Sequence, residues 1–361
     1  MTERVTATVD LAALRHNLRR VRDYAPGSRV MAAVKADAYG HGAIAVSRAL
    51  EAAGIDALAV ACMEEAQKLR EARVRTPVTI LEGVISADEA ALAAYEDLQI
   101  VVHDFWQLDL LEAMPQRADL QIWFKIDTGM HRLGFPPEAI PRLRETLGRN
   151  RGWEFQGWMT HLANADDPSH PSTPAQIRLF DEVLAGAAGP RSIANSAGLI
   201  AWPNARRDWV RPGLMLYGAS PMPGQTADSL GLRPALHLQS RIIARRDCDA
   251  GSAIGYGSTF VCPERMPIGV VAVGYADGMP RCLPNGTPVL VRGRRTPIAG
   301  RVSMDMITID LRNTPEAEVE DRVTLWGPGL PAEEIASLAG TLAYELFCGL
   351  TNRVRYHYLG S

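Results

Sequence analysis

Short, nearly continuous apolar runs recur through the first two thirds of the chain, separated by longer stretches in which apolar residues return every three or four positions. The runs are RVMAAVK from Arg29, ALAVAC from Ala57, PVTILEG from Pro77, LQIVVH from Leu98, LQIWFKID from Leu120, FQGWMTH from Phe155, RSIAN from Arg191 and WVRPGLMLYG from Trp209. Between them lie amphipathic segments such as GAIAVSRALEAA and MEEAQKLREA, rich in good helix formers. Eight strands apolar on both faces, alternating with helices, predict an α/β fold whose N-terminal part is a (β/α)8 TIM-like barrel. A doubly wound sheet alternates in the same way, so the count favours the barrel without excluding it. After about Leu232 the pattern changes. RPALHLQSRIIARRDCDAG, PIGVVAVGY, TPVLVRG and MDMITIDL alternate with Gly and Pro turns, and helical periodicity returns only in AEEIASLAGTLAYELFCGL. This predicts a C-terminal, mainly antiparallel β domain with a late helix. The expected division is a barrel over residues 1–232 and a β domain over 233–361, with the first few residues free to pack on the β domain.

The composition fits a globular chain of 361 residues with 47% hydrophobic and 22% charged residues. A net charge of −3 gives no electrostatic case for nucleic acid or an anionic membrane. Five cysteines, an odd number with no C-x-x-C pair, argue against a disulfide framework or a zinc site and for a reducing compartment. No apolar run reaches about 18 residues, and the first segment, MTERVTATVDLAALRHNLRR, is too charged for a signal peptide. The expectation is a cytoplasmic protein.

In a barrel, chemistry sits at the C-terminal ends of the strands and in the loops that follow. At those places stand Lys35 and Tyr39, Lys125 with Asp127 and Arg132, His161, Asn195 with Ser196, and Arg211. Their convergence on one mouth says more than any one of them, because a lone strand-end lysine is usually solvated surface. In AVKADAYGHG, Lys35 would stand in that mouth, a setting suited to an amine nucleophile, and Gly40 and Gly42 would open a turn closed to other residues. Ser196, with the backbone of Gly213 and Leu214, occupies the usual barrel phosphate site after strands seven and eight.

AVKADAYGHG resembles the cofactor-attachment motif of the alanine racemases, and KIDTGMHRLGF, THLANAD, ANSAG, VRPGLMLYG, IGYGSTF, VGYADGMPR and AGRVSMDM extend that resemblance over essentially the whole chain. It implies a pyridoxal 5'-phosphate enzyme of fold type III that interconverts L- and D-alanine. By resemblance, Lys35 holds the cofactor covalently and serves one face of the substrate, while Tyr256 serves the other. Two opposed bases are what inversion at a planar carbon requires. Arg211 would bond the ring nitrogen and, being always protonated, keep that nitrogen unprotonated, which weakens the ring as an electron sink. Tyr39 and Tyr344 would bring hydroxyls to the phosphate, Asn195 would border it, and His161 would pack near the ring and orient Arg211. Arg132 and the Met304 backbone would meet the substrate, and Tyr275 and Asp305 would gate its access. Lys125 would be carbamylated to hold Arg132; a plain pair with Asp127 is the alternative. No metal is expected.

The resemblance further implies a homodimer with shared sites, in which Tyr256, Tyr275, Met304 and Asp305 reach the partner's cofactor. Many relatives carry histidine where Ser192 stands and glycine where His131 stands, which bears on the tuning of Arg211 and on the Arg132 loop. The product D-alanine would feed peptidoglycan, or the enzyme would serve alanine catabolism. Two rivals stay open at this level: a pyridoxal-phosphate amino-acid decarboxylase of the same fold, and a non-enzymatic carrier of the cofactor.

Overall fold

The structure, a computed structural model, describes residues 3–114, 119–149 and 152–360; the outer domain ends expected at residues 1 and 361 lie outside them. The chain opens with β1 (Thr6–Asp10), whose Asp10 carboxylate caps the helix Leu11–Tyr24 by accepting from the Ala12 and Ala13 N–H groups. Eight strands follow: β2 (Arg29–Ala33), β3 (Ala57–Val60), β4 (Val78–Ile80), β5 (Leu98–Val102), β6 (Leu120–Lys125), β7 (Trp153–Met159), β8 (Arg191–Asn195) and β9 (Trp209–Arg211). Each pairs in parallel with the next, and β9 closes on β2 through Arg29↔Trp209 and Val30↔Val210. The eight apolar runs are therefore the eight strands of a closed barrel.

Strand periodicity sorts the side chains. Met31, Ala57, Ala59, Val101, Trp123, Met159 and Trp209 form one buried cluster inside the barrel, where the small alanines of β3 make room for two indoles in edge-to-face contact. Polar atoms in the lumen are satisfied locally: Gln99 Oε1 accepts from Thr79 Oγ1 at 2.8 Å and from Trp123 Nε1 at 2.9 Å. Alternate residues such as Val30, Ala32, Leu58 and Val60 point outward under the helices. The last strand departs from the sequence expectation. It stops at Arg211, Pro212 lacks an N–H for the ladder, and Leu214–Tyr217 wind into a 3-10 turn. No helix follows it directly. The helix Leu11–Tyr24 covers that position instead, held by buried Asn17, which donates to the Leu216 and Arg233 carbonyls and accepts from the Arg233 N–H.

The second unit is built on β10 (Leu236–Cys248), 13 residues long. Shifts of register at Leu238/Gln239 and Ile242/Ala244 let β10 pair with several neighbours along its length. Around it stand β13 (Met266–Val271), β14 (Pro288–Val291), β15 (Arg294–Pro297), β16 (Ile307–Asp310), β17 (Arg322–Trp326) and β18 (Arg355–Leu359), and a small hairpin of β11 (Ala253–Ile254) and β12 (Phe260–Val261) extends from β10. All pairings are antiparallel except β1 with β18, so the N-terminal strand belongs to this sheet rather than to the barrel. The expected late helix is two short ones, Ala332–Leu338 and Ala343–Cys348, separated at Gly340, whose φ is +70°.

One segment violates ordinary backbone preference. Ala36, Asp37, Ala38 and Tyr39 all have φ between 50° and 55°. Such left-handed conformations cost L-residues about 1–2 kcal/mol each. The strand therefore ends at Ala33, and Lys35 stands at the start of a left-handed turn rather than on the strand itself. The turn leaves through Gly40 and Gly42, also at positive φ, where a Cβ would run into the Phe347 carbonyl and the Tyr358 ring respectively.

Candidate active site

The C-terminal ends of the barrel strands carry the side chains that the sequence singles out. Lys35 lies just past β2, Lys125 ends β6, His161 lies just past β7, Asn195 ends β8 and Arg211 ends β9. Lys125, Arg132, Lys35 and Arg211 are close enough to feel one another. Burial first, then the charges of Arg211, Arg132 and Lys35, push the Lys125 ammonium down to about 8, with Asp127 opposing them only weakly. Burial and the same cations hold His161 well below its usual value, so its ring is neutral.

Asp127 is committed elsewhere. Its Oδ1 accepts from the N–H groups of Gly129, Met130 and His131 at 2.9–3.1 Å, and its Oδ2 faces His131 Nδ1 at 3.0 Å. Among the described residues no ion pair joins it to Lys125; the simple Lys125–Asp127 pair, one of the two sequence readings, is not formed. His131 at φ 54° thus closes the loop that presents the exposed Arg132.

Arg211 is buried among neutral acceptors. Its Nη1 donates to Ser192 Oγ at 2.5 Å, and its Nη2 donates to the carbonyls of Thr160 and Ile193 and reaches His161 Nδ1 at 3.3 Å. Burial alone lowers its guanidinium to about 10, still a cation at neutral pH. Ser192, which donates in turn to the Trp209 carbonyl, therefore holds Arg211 directly. Sequence spacing gave no sign of Thr160 or Ile193, because both act through backbone carbonyls.

Hydroxyl and amide groups stand on the turns that follow β2, β8 and β9. Ser196 Oγ accepts from the Gly213 N–H at 2.8 Å and the Met215 N–H at 3.3 Å, leaving its own proton to donate. Leu214 begins the following 3-10 turn. A Cβ on Gly213 would lie 2.5 Å from the Tyr39 hydroxyl, so only glycine lets the backbone come this close. Tyr39 and Tyr344 pack ring to ring at 5.6 Å. Burial raises both phenols, Tyr344 to about 12, which keeps them neutral donors. Asn195 spends its Oδ1 capping the helix Ser196–Ala201 through the Gly198 N–H.

The remaining expected residues stand on the second unit. Tyr256 sits at the tip of the β11–β12 hairpin between glycines at positive φ and is 71% exposed. Tyr275 and Met304 are brought together, since the Tyr275 N–H donates to the Ser303 carbonyl and the Ala276 N–H to that of Met304, each at 3.0 Å. Met304 is 52% exposed. Asp305 pairs with Arg353 at 2.8 Å, and the buried Asp277 ties Arg353 and Arg4 into the same network. Within the chain, no described hydrogen bond, ion pair or ring contact connects Tyr256 to the barrel mouth.

Lys35, Lys125, Arg132 and Arg211, with neutral phenols and the closely approaching backbone of Gly213 alongside, fit a dianionic phosphate and a carboxylate together. Known proteins agree with that chemistry. Residues 9–221 match the family model "Alanine racemase, N-terminal domain" and residues 235–358 match "Alanine racemase, C-terminal domain". The alanine racemase of Nitrosococcus oceani is 52% identical, covering 96% of this chain and 97% of its own. The biosynthetic alanine racemase from Pseudomonas aeruginosa superposes with a TM-score of 0.96 at 43% identity, covering 99% of this chain and 100% of that one. A further neighbour, alanine racemase from Bartonella henselae with covalently bound pyridoxal phosphate, has a TM-score of 0.89 at 29% identity and covers 99% and 100% of the two chains. With fold, donor set and both domain models in agreement, this chain belongs to the alanine racemase family, isomerases that depend on pyridoxal phosphate.

Proposed function

We propose that the chain racemises alanine with two opposed bases, Lys35 and Tyr256, in a homodimer whose sites are shared. The observation that carries this is their placement: one base stands in the cationic mouth of the barrel, the other projects, 71% exposed, from a hairpin on the second unit. Pyridoxal phosphate, when bound, supplies the electron withdrawal that loosens the Cα proton of an amino acid attached to it. The residues do the rest. Lys35 would hold the cofactor covalently, and its Nζ takes or returns the proton on one face of the substrate. Tyr256 of the other subunit does so through its hydroxyl on the opposite face.

Arg211 donates to the ring nitrogen and denies it a proton. Ser196, Tyr39, Tyr344 and the backbone at Gly213 and Leu214 hold the phosphate, with Asn195 fixing the helix that carries Ser196. His161 accepts from Arg211 and keeps it aimed. Arg132 and the Met304 backbone receive the substrate carboxylate, and Tyr275 and Asp305 line its access. Lys125 is the natural site of carbamylation: its amine adds to carbon dioxide and loses a proton, leaving an anion among Arg132, Arg211 and Lys35. The lowered Lys125 value supports this, since neutral amine is available near neutral pH.

The test is to follow optical rotation of L-alanine beside release of carbon dioxide. Rotation decays to zero without gas if the reading holds. Carbon dioxide release would make the chain a decarboxylase, and no change in either would leave a carrier.

A further inference from the structure

The left-handed turn after Lys35 needs an external hold, and most of its tethers act at its far end. The Gly42 N–H donates to the Asp37 carbonyl at 2.9 Å, the Ala43 N–H to Asp37 Oδ1 at 2.7 Å, and the Tyr356 hydroxyl to the Gly40 carbonyl at 2.9 Å. The His41 ring, buried with Nδ1 2.8 Å from the Tyr39 carbonyl, closes the same end. Next to Lys35 the Ala38 N–H donates to the Val34 carbonyl and the Val34 N–H to that of Ala59, each at 2.8 Å, and one side chain adds a further hold. Glu65, in the first turn of the helix Met63–Glu71, accepts the Ala36 N–H on Oε1 at 2.7 Å and the Ala61 N–H on Oε2 at 2.8 Å. Ala36 follows Lys35, and Ala61 follows β3, the strand beside β2. One carboxylate thus bridges the ends of two neighbouring barrel strands at the residue after the lysine. Charged acceptors make the stronger hydrogen bonds to backbone N–H groups, and both oxygens are used.

We infer that Glu65 is a positioning residue for the racemisation: its carboxylate fixes the start of the left-handed turn and thereby the direction in which Lys35 presents its amine. This rests on the reading that Lys35 carries the cofactor. Both Glu65 oxygens are taken up by backbone N–H groups, so its loss should degrade alignment rather than binding, and small misplacements of a reacting group are costly.

The experiment compares Glu65→Gln and Glu65→Ala holoenzymes with wild type, with activity expressed per bound cofactor. Glutamine keeps the shape but has one acceptor oxygen, so it can serve only one of the two N–H groups. Expected are kcat losses of about tenfold for Gln and about a hundredfold for Ala, with KM for alanine within roughly threefold of wild type. Thermal unfolding and circular dichroism confirm that each variant is folded, and the isosteric Gln variant keeps the test open if Ala does not fold. Borohydride reduction and peptide mapping accompany the kinetics. Wild-type kcat in a folded Glu65→Gln enzyme labelled on Lys35 overturns the role of Glu65 and leaves Lys35 in place. Label on a different lysine instead overturns the reading of Lys35 itself.

Discussion

Arg211 is a buried cation with no anionic partner among the described residues: its acceptors are a serine hydroxyl, two carbonyls and a neutral imidazole. A guanidinium so placed is held by geometry rather than charge, and it needs an electron-rich atom in front of it. Replacing it by a carboxylate inverts that relation, because Arg211→Glu can share a proton with a ring nitrogen. Arg211→Glu should retain cofactor but racemise more slowly and accumulate a long-wavelength absorbing species under substrate. Stopped-flow spectra without such a band would contradict the role given to Arg211. Lys35 has a simpler test: the protein should be yellow, and borohydride should fix the cofactor on the peptide AVKADAYGHG. At this scale the grouping of Lys35, Lys125, Arg132, His161 and Arg211 was legible, because residue type and strand-end position carry it. The partners of Arg211 were not, since Thr160 and Ile193 contribute only carbonyls and any side chain would do. The Lys125–Asp127 pair was one of two readings of adjacent charges, and backbone amides take Asp127 instead.

The element that departs furthest from its sequence pattern is the turn after β2. AAVK reads as one apolar strand, yet the backbone turns left-handed directly after Lys35, through residues with no local preference for that conformation. Long-range tethers from Glu65 and Tyr356 help impose it, and pattern reading is blind to them. The same holds for β1 and β18. TATVD is short and runs straight into a helix, and RYHYL lacks an apolar face, so neither announces a strand until they pair with each other and with β10. His41 ties this turn to a pH dependence. Its ring is buried, Nε2 has no partner, and burial lowers it from 6.5 to about 4. An unfolded histidine takes its proton below about 6.5 while the folded one waits until about 4. The unfolded state thus binds more protons within that window, and stability falls as pH drops through it. The neutral ring's contribution is fully present above 6.5, and the loss by pH 4 is on the order of 3 kcal/mol. Urea denaturation at stepped pH should show that decline, less steep in His41→Asn, which keeps a donor near Nδ1. His161 adds to the same trend, so the slope shrinks without vanishing. Equal slopes in both proteins would remove His41 from the account.

Taken as one molecule, the described residues have β1 and β18 in the β-rich unit, with the barrel between β1 and β10. The barrel was legible because eight doubly apolar runs leave few other folds, and closure through β9 and β2 removes every edge. What no pattern of apolar positions conveys is which surface an exposed tyrosine on a hairpin tip will meet. Among the described residues, no helix is long and apolar enough to cross a membrane. In the proposed dimer the exposed Tyr256, Tyr275 and Met304 would face the mouth of a second copy. The mixed dimer tests this most directly. Lys35→Ala and Tyr256→Phe should each be nearly inactive, because each would remove one of the two proposed bases on opposite faces. If each site takes Lys35 from one subunit and Tyr256 from the other, a mixed dimer has one site with both lesions and one with neither. Unfolding and refolding an equal mixture gives about half mixed dimers, each with one intact site, so about a quarter of wild-type activity should return. Recovery near zero, with subunit exchange confirmed by mass, would mean that both bases come from one subunit and would contradict the shared site.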